Sequence, residues 1–216
     1  MKTQVFEPPR NETWEHFLLK NVAIAYLRLH FGCTIAAMEV FGMHIGGSVI
    51  DGKETKLIAD AVGIRIKDQW LPYSEGEVHD NPYKRIETVY CIEAKVSRND
   101  FQSGYCIGGD LNYVITPRGL VKKDEVYKGV GLIEVDLDRL EFTKNWGLLG
   151  VEITKRATNR NQLSDDVTSR GKWIDRVFRD MARQLTINGI RNNPWFYPGF
   201  STLSGLCYEK CSKTRA

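Results

Sequence analysis

Residues 89–96, VYCIEAKV, restrict the fold more than any other stretch of the chain. Val89, Tyr90, Cys91, Ile92, Ala94 and Val96 read as a buried strand, yet Glu93 and Lys95 interrupt it. Two residues apart in a strand, these opposite charges project from the same face. A second strand-like segment, KLIADAVGIRIKDQW, carries Asp60 among apolar neighbours. Ionisable groups inside core strands are costly unless they pair or bind something. Any fold for this chain must therefore give Asp60, Glu93 and Lys95 a partner.

Around these strands the pattern alternates between helix and sheet. NETWEHFLLKNVAIAYLRLHFG predicts a first helix with Trp14, Phe17, Leu18, Val22, Ala25 and Leu29 on its apolar face. Asn11 or Thr13 suits its N-cap and Gly32 its end. Strands are expected in CTIAAMEVFGMHI, LNYVIT and VGLIEVDL, with a further edge strand in WGLLGVEITKRA. Ser97 and Asp100 fit a capping box opening a short helix at SRNDF. A last helix, GKWIDRVFRDMARQLTING, has Trp173, Ile174, Val177, Phe178, Met181 and Leu185 as its apolar face. The expected class is α/β or α+β, with a mixed central sheet flanked by helices. The 216 residues, 42% hydrophobic, suit one domain over 1–216.

Charge and cysteine usage narrow the functional classes. The net charge is only +3, but residues 155–191 hold nine basic residues against four acidic ones, a surplus of five. Lys172, Arg176, Arg179 and Arg183 recur at helical spacing as one stripe, suited to tracking phosphates. The same stripe also suits a solvated face with Asp175–Arg179 and Asp180–Arg183 pairs. The aromatic tail NPWFYPGF suits either packing or base stacking. Five cysteines, with Cys207 and Cys211 as C-x3-C, lack the second close pair that a structural zinc site needs. His16, His30, His44 and His79 form no close pair with metal-ligand spacing and receive no catalytic role. No apolar run approaches the roughly 20 residues of a membrane span. Neither a signal peptide nor a Gly-rich phosphate loop is evident, so a cytoplasmic protein with no membrane partner is expected.

Asp60 and Glu93 on neighbouring strands would repel one another, and a divalent cation between them would turn repulsion into coordination. The Ala94 carbonyl could add an oxygen, and Lys95 could orient a water or offset phosphate charge. These are the parts of a metal-assisted phosphodiester hydrolysis. A structural Glu–Lys pair at a sheet edge, with Asp60 unrelated, explains the spacing equally simply.

The block IAD followed by IEAKVSRNDF resembles the core motif of the PD-(D/E)xK nuclease superfamily. It looks closest to the MmcB-like DNA-repair proteins, and GGDLNYVITPRGLV and VYKGVGLIEVD resemble the blocks that follow. The resemblance spans roughly residues 12–138, leaving the basic helix and aromatic tail of about 155–216 outside it. Ala59 stands where the motif has proline, and QSGYCIGG lacks the basic residues of the MmcB-like pattern. The resemblance implies a restriction-endonuclease-like sheet and a Mg²⁺- or Mn²⁺-dependent nuclease acting on DNA, in repair, recombination or phage DNA processing. It implies Asp60 and Glu93 as metal ligands, with the Ala94 carbonyl, and Lys95 as the catalytic lysine. Glu39 is the preferred further acid and Glu15 the other candidate. Ser97 and Asp100 either line the site or cap the helix, and Lys172, Arg176, Arg179 and Arg183 would hold DNA. The alternatives are an inactive DNA-binding or scaffold protein of the same fold, and an RNA or nucleotide phosphodiesterase.

Overall fold

The computed structural model describes residues 12–41, 58–70, 83–105, 107–142, 148–158 and 174–180. Along the chain these form α1 (Trp14–Leu29), β1 (Ile35–Phe41), β2 (Ile58–Trp70), β3 (Tyr83–Ala94) and α2 (Arg98–Gln102). β4 (Leu111–Pro117), β5 (Gly131–Val135), β6 (Glu141–Phe142), β7 (Leu148–Leu149) and β8 (Val151–Lys155) follow. Residues 174–180 are helical and are termed α3. The protein is of the α+β class, with a mixed six-stranded sheet ordered β1-β2-β3-β4-β5-β8. β3, β4 and β5 run parallel, and the outer pairings are antiparallel. The expected edge strand at WGLLGVEITKRA divides into β7, paired with β6, and β8, which closes the main sheet.

The period-two pattern of the strands builds two cores. Tyr90, Ile92 and Ala94 of β3, with Tyr113 and Ile115 of β4, pack beneath α1. Val89 and Cys91 pack on the other face with Val177 and Ile174 of α3. Val114 and Leu132 join Phe101 of α2 there, in a separate cluster. Helices thus cover both faces, which is why β3 and β4 read as near-continuous apolar runs.

α1 starts where Thr13 accepts the His16 N–H at 3.2 Å. It ends where Cys33 N–H bonds Leu27 O at 2.9 Å and Gly32 takes φ +64°. The amphipathic expectation is too narrow, because every residue from Leu18 to Leu27 is buried, Lys20 and Asn21 included. Asn21 returns its amide to Phe17 O at 2.6 Å, and Lys20 finds carboxylates instead. α3 corrects the last-helix pattern too: Val177 is fully buried, but Phe178, assigned to the apolar face, is 45% exposed. Trp173, Met181 and Leu185 of that pattern lie outside the described residues.

Gly63 sets how closely α1 approaches β2. A Cβ there would meet Cys33 Sγ at 2.7 Å and Leu27 Cδ2 at 2.9 Å. Gly63→Ala is expected to destabilise the fold by about 1–3 kcal/mol through overpacking, read as a lower urea midpoint at unchanged slope.

Candidate functional site

Besides the register shift between β5 and β8 at Leu132/Ile133, the sheet is irregular at Glu39 of β1 and Asp60 of β2. Ile35 and Ala37 face the α3 side while Ala36 faces α1, so Val40 should face α1; instead it packs on the α3 side. β2 slips in the same way. Ala59 packs with Val62 and Ile64 on the α3 side, although Ala61, two residues after Ala59, packs beneath α1. The β1–β2 register runs through Met38–Ala61 and Val40–Ala59 and omits Glu39–Asp60. Glu39 has φ 51°, a left-handed conformation that costs a non-glycine residue energy. The β2–β3 ladder starts at Ala61–Ile92, so Asp60 is one step beyond it, opposite Glu93.

That break positions Asp60. Lys95 N–H bonds Ile115 O of β4, so by alternation the Ala94 N–H faces β2. There it meets Asp60 Oδ2 at 2.8 Å in place of a ladder partner. The Ala94 carbonyl projects to the same side as its own N–H. His16 Nε2 of α1 lies 3.4 Å from the same Asp60 oxygen. Burial opposes ionisation of Asp60, but the His16 and Ala94 hydrogen bonds outweigh it and hold the carboxyl below its usual range. The Asp60 hydrogen bond in turn raises His16 against the effect of burial.

Glu93 is the opposite case. It is 6% exposed, and its Oε1 is buried without a hydrogen-bond partner. Burial first, and then the Asp60 charge, push its carboxyl well above the ordinary carboxylate range, with Lys95 pulling the other way. Lys95, 8% exposed, shares its face and donates to Asp100 Oδ1 at 3.2 Å. Asp100 Oδ2 accepts the Val96 N–H at 3.1 Å, and Ser97 Oγ accepts the Asp100 N–H at 3.1 Å. Ser97 is therefore the α2 N-cap, and Asp100 both closes that turn and orients the lysine.

The acids expected from the first helix and strand are arranged differently. Glu15 is exposed in the first turn of α1. Glu39 reaches Lys20 Nζ at 2.7 Å, with its side chain 56% exposed. Glu12, which the sequence reading passed over, is the buried acid: its Oε1 contacts Lys20 Nζ at 2.5 Å and His16 Nδ1 at 2.9 Å. Glu12, just before the Thr13 cap, and His16 and Lys20 on α1 follow one another at intervals of four, and that spacing is the available signal. Burial opposes the charge on Lys20, but Glu12 and Glu39 outweigh it and keep it protonated.

The remaining candidates fall elsewhere. Of the basic stripe, Arg176 and Arg179 are described; Lys172 and Arg183 lie outside the described residues. Arg176 pairs with Asp180 at 3.2 Å, and exposed Arg179 donates to the Asp175 carbonyl at 3.4 Å, while the expected Asp180–Arg183 pair involves a residue outside those described. The C-x3-C cysteines and the aromatic tail also lie outside the described residues, while Cys33 and Cys91 are buried. No group of three or more His, Cys, Asp and Glu residues among those described is arranged to hold a metal. Two carboxylates and a carbonyl are nonetheless a donor set that a hard cation uses, since Mg²⁺ takes one or two carboxylates and keeps several waters. The unpartnered Glu93 oxygen fits that role. No described helix is long and apolar enough to cross a membrane.

Two outcomes follow from these charges. Glu93, with its raised pKa, contributes stability at low pH that is lost as pH rises from about the ordinary 4.5 through the folded value. Glu93→Gln should therefore make the metal-free protein more resistant to urea at pH 7, with the gain vanishing near pH 4. Lys20→Met should destabilise by about 3–5 kcal/mol, because it strands the buried Glu12 charge; chemical denaturation at pH 7 reads the loss.

No family model matches the chain, and no curated protein matches it. Among solved structures it is similar to a protein of unknown function from Silicibacter pomeroyi. The match has 16% identity and a TM-score of 0.50, and covers 84% of this chain and 97% of the other. That likeness is one of fold.

Proposed function

We propose that this protein is a metal-dependent nuclease that hydrolyses DNA phosphodiester bonds, on a restriction-endonuclease-like sheet of the PD-(D/E)xK type. One observation carries the reading: Asp60 sits opposite Glu93 where β2 parts from β3, with Lys95 buried on the Glu93 face. Chance spacing of D and E-x-K would not require the three to converge at a break in the sheet.

In this reading Asp60 and Glu93 hold Mg²⁺ or Mn²⁺, with the Ala94 carbonyl available as a further oxygen. The cation would offset charge developing on the phosphate and make an attacking water more acidic. The chain's own groups do the rest. Ala94 N–H and His16 hold the Asp60 carboxylate in one orientation. Asp100 fixes the Lys95 ammonium, which then supplies a preorganised positive charge to the phosphate or its nucleophile. Lys20 bridges Glu12 and Glu39, so both acids are tied to α1 and brace the site. Arg179 on α3, exposed, is a member of the basic stripe that could meet a phosphate backbone.

The test is cleavage of supercoiled plasmid, linear duplex and single strands with Mg²⁺, Mn²⁺ or EDTA. Nicking should require metal and fall by at least about 100-fold in Glu93→Ala and Lys95→Ala, on the scale of losing one electrostatic catalytic group. Cleavage unchanged in both variants defeats the site assignment. Salt-sensitive binding without cleavage points to a binding protein of the same fold, and RNA cleaved in preference to DNA points to a ribonuclease.

A further inference from the structure

Thr116 of β4 is completely buried, and its hydroxyl has no hydrogen-bond partner. Buried hydroxyls normally have one. The register pairs Glu93 with Val114, so Thr116, two residues on, lies on the Glu93 face. Lys95 N–H donates to Ile115 O, which carries the β3–β4 pairing forward and sets Lys95 beside Thr116. Glu93 and Thr116 thus share one face of two neighbouring strands, and Lys95 follows directly on the end of β3 beside them. Glu93 Oε1 and Thr116 Oγ1 have no partner, and the Lys95 ammonium, with three donors, uses one on Asp100. Glu134, opposite Thr116 on β5, is committed to the Gly119 N–H at 2.8 Å and does not serve the hydroxyl.

We propose that Thr116 is a further positioning residue of this site: with Glu93 Oε1 and the Lys95 ammonium it binds a single water oxygen. The ammonium donates to that oxygen, the water donates to the Glu93 carboxylate, and the Thr116 hydroxyl completes the set. A buried water makes two to four hydrogen bonds, and three polar groups offer them here. The water keeps Lys95 directed along the sheet face toward Glu93. Its catalytic consequence rests on the nuclease reading, whereas the water site itself does not.

The experiment has two arms. In metal-free protein, urea unfolding is followed for Thr116→Val, Thr116→Ser, Glu93→Leu and the Val/Leu double variant. Thr116→Val should lower the midpoint, Thr116→Ser should restore it, and Thr116→Val should cost less in the Glu93→Leu background, where the water has lost a partner. An isolated hydroxyl predicts the reverse, since valine in its place relieves a buried unpaired group. A Thr116→Val midpoint equal to or above wild type, or a cost unchanged by Glu93→Leu, overturns the proposal. In the second arm, plasmid cleavage by Thr116→Val should lose about tenfold in kcat with KM for DNA unchanged, and Thr116→Ser should recover it. Wild-type turnover in Thr116→Val overturns the positioning role. A wild-type protein that cleaves nothing removes the nuclease reading, and the unfolding arm then decides the water site alone.

Discussion

The hydrogen bond from Ala94 N–H to the Asp60 carboxylate organises the site. A backbone donor on a central strand must be satisfied, and here a side chain does what the next ladder bond would have done. Two consequences follow together. The β2–β3 ladder ends at Ala61–Ile92, and the Asp60 carboxylate one step beyond it is held by the strand its backbone no longer pairs with. The slip of face in both β1 and β2 at this position, and the left-handed backbone at Glu39, are what the sheet gives up to place Asp60 there.

Around that point, charge is distributed in two compartments. On the α1 side, Glu12, His16, Lys20, Glu39 and Asp60 form a chain of alternating sign in which each charge has an opposite neighbour. On the α2 side, Glu93 has Asp60 as a repelling neighbour and Lys95 as an attracting one, and Lys95 is held by Asp100. The first compartment sets three carboxylates against Lys20 and His16, and Glu12 Oε2 there is buried without a hydrogen-bond partner. The second carries a carboxyl oxygen and a hydroxyl without partners, so an added cation or a water would lower the energy there.

Much of this was legible in the chain. The apolar alternation around Glu93 and Lys95 locates β3, and the Ser97–Asp100 spacing locates the α2 cap, because both rest on local periodicity. The meeting of Asp60 and Glu93 was implied by two adjacent strands, and it becomes definite in the antiparallel register. The acids Glu15 and Glu39 were weighed on local surroundings, apolar for Glu39 and helix-terminal for Glu15. Neither setting reports which way a carboxylate points. Glu12 precedes the helix cap, where the helix dipole by itself explains a carboxylate. His16 shows no metal-ligand spacing along the chain, because its Asp60 partner is 44 residues away.

By itself the sequence determined where the main strands and helices fall, and that three charges had to share core strands. Those properties depend on residues within a few positions of one another. Only the tertiary structure decided that α1 turns its Glu12–His16–Lys20 row toward β2, and that the sheet slips its facing at Asp60. It alone decided that Thr116 falls beside Lys95. The physical reason is that helix polarity patterns assign polar residues to solvent, whereas a helix buried on all sides must find partners for them across the fold. Such partners are fixed by the packing of elements distant in sequence.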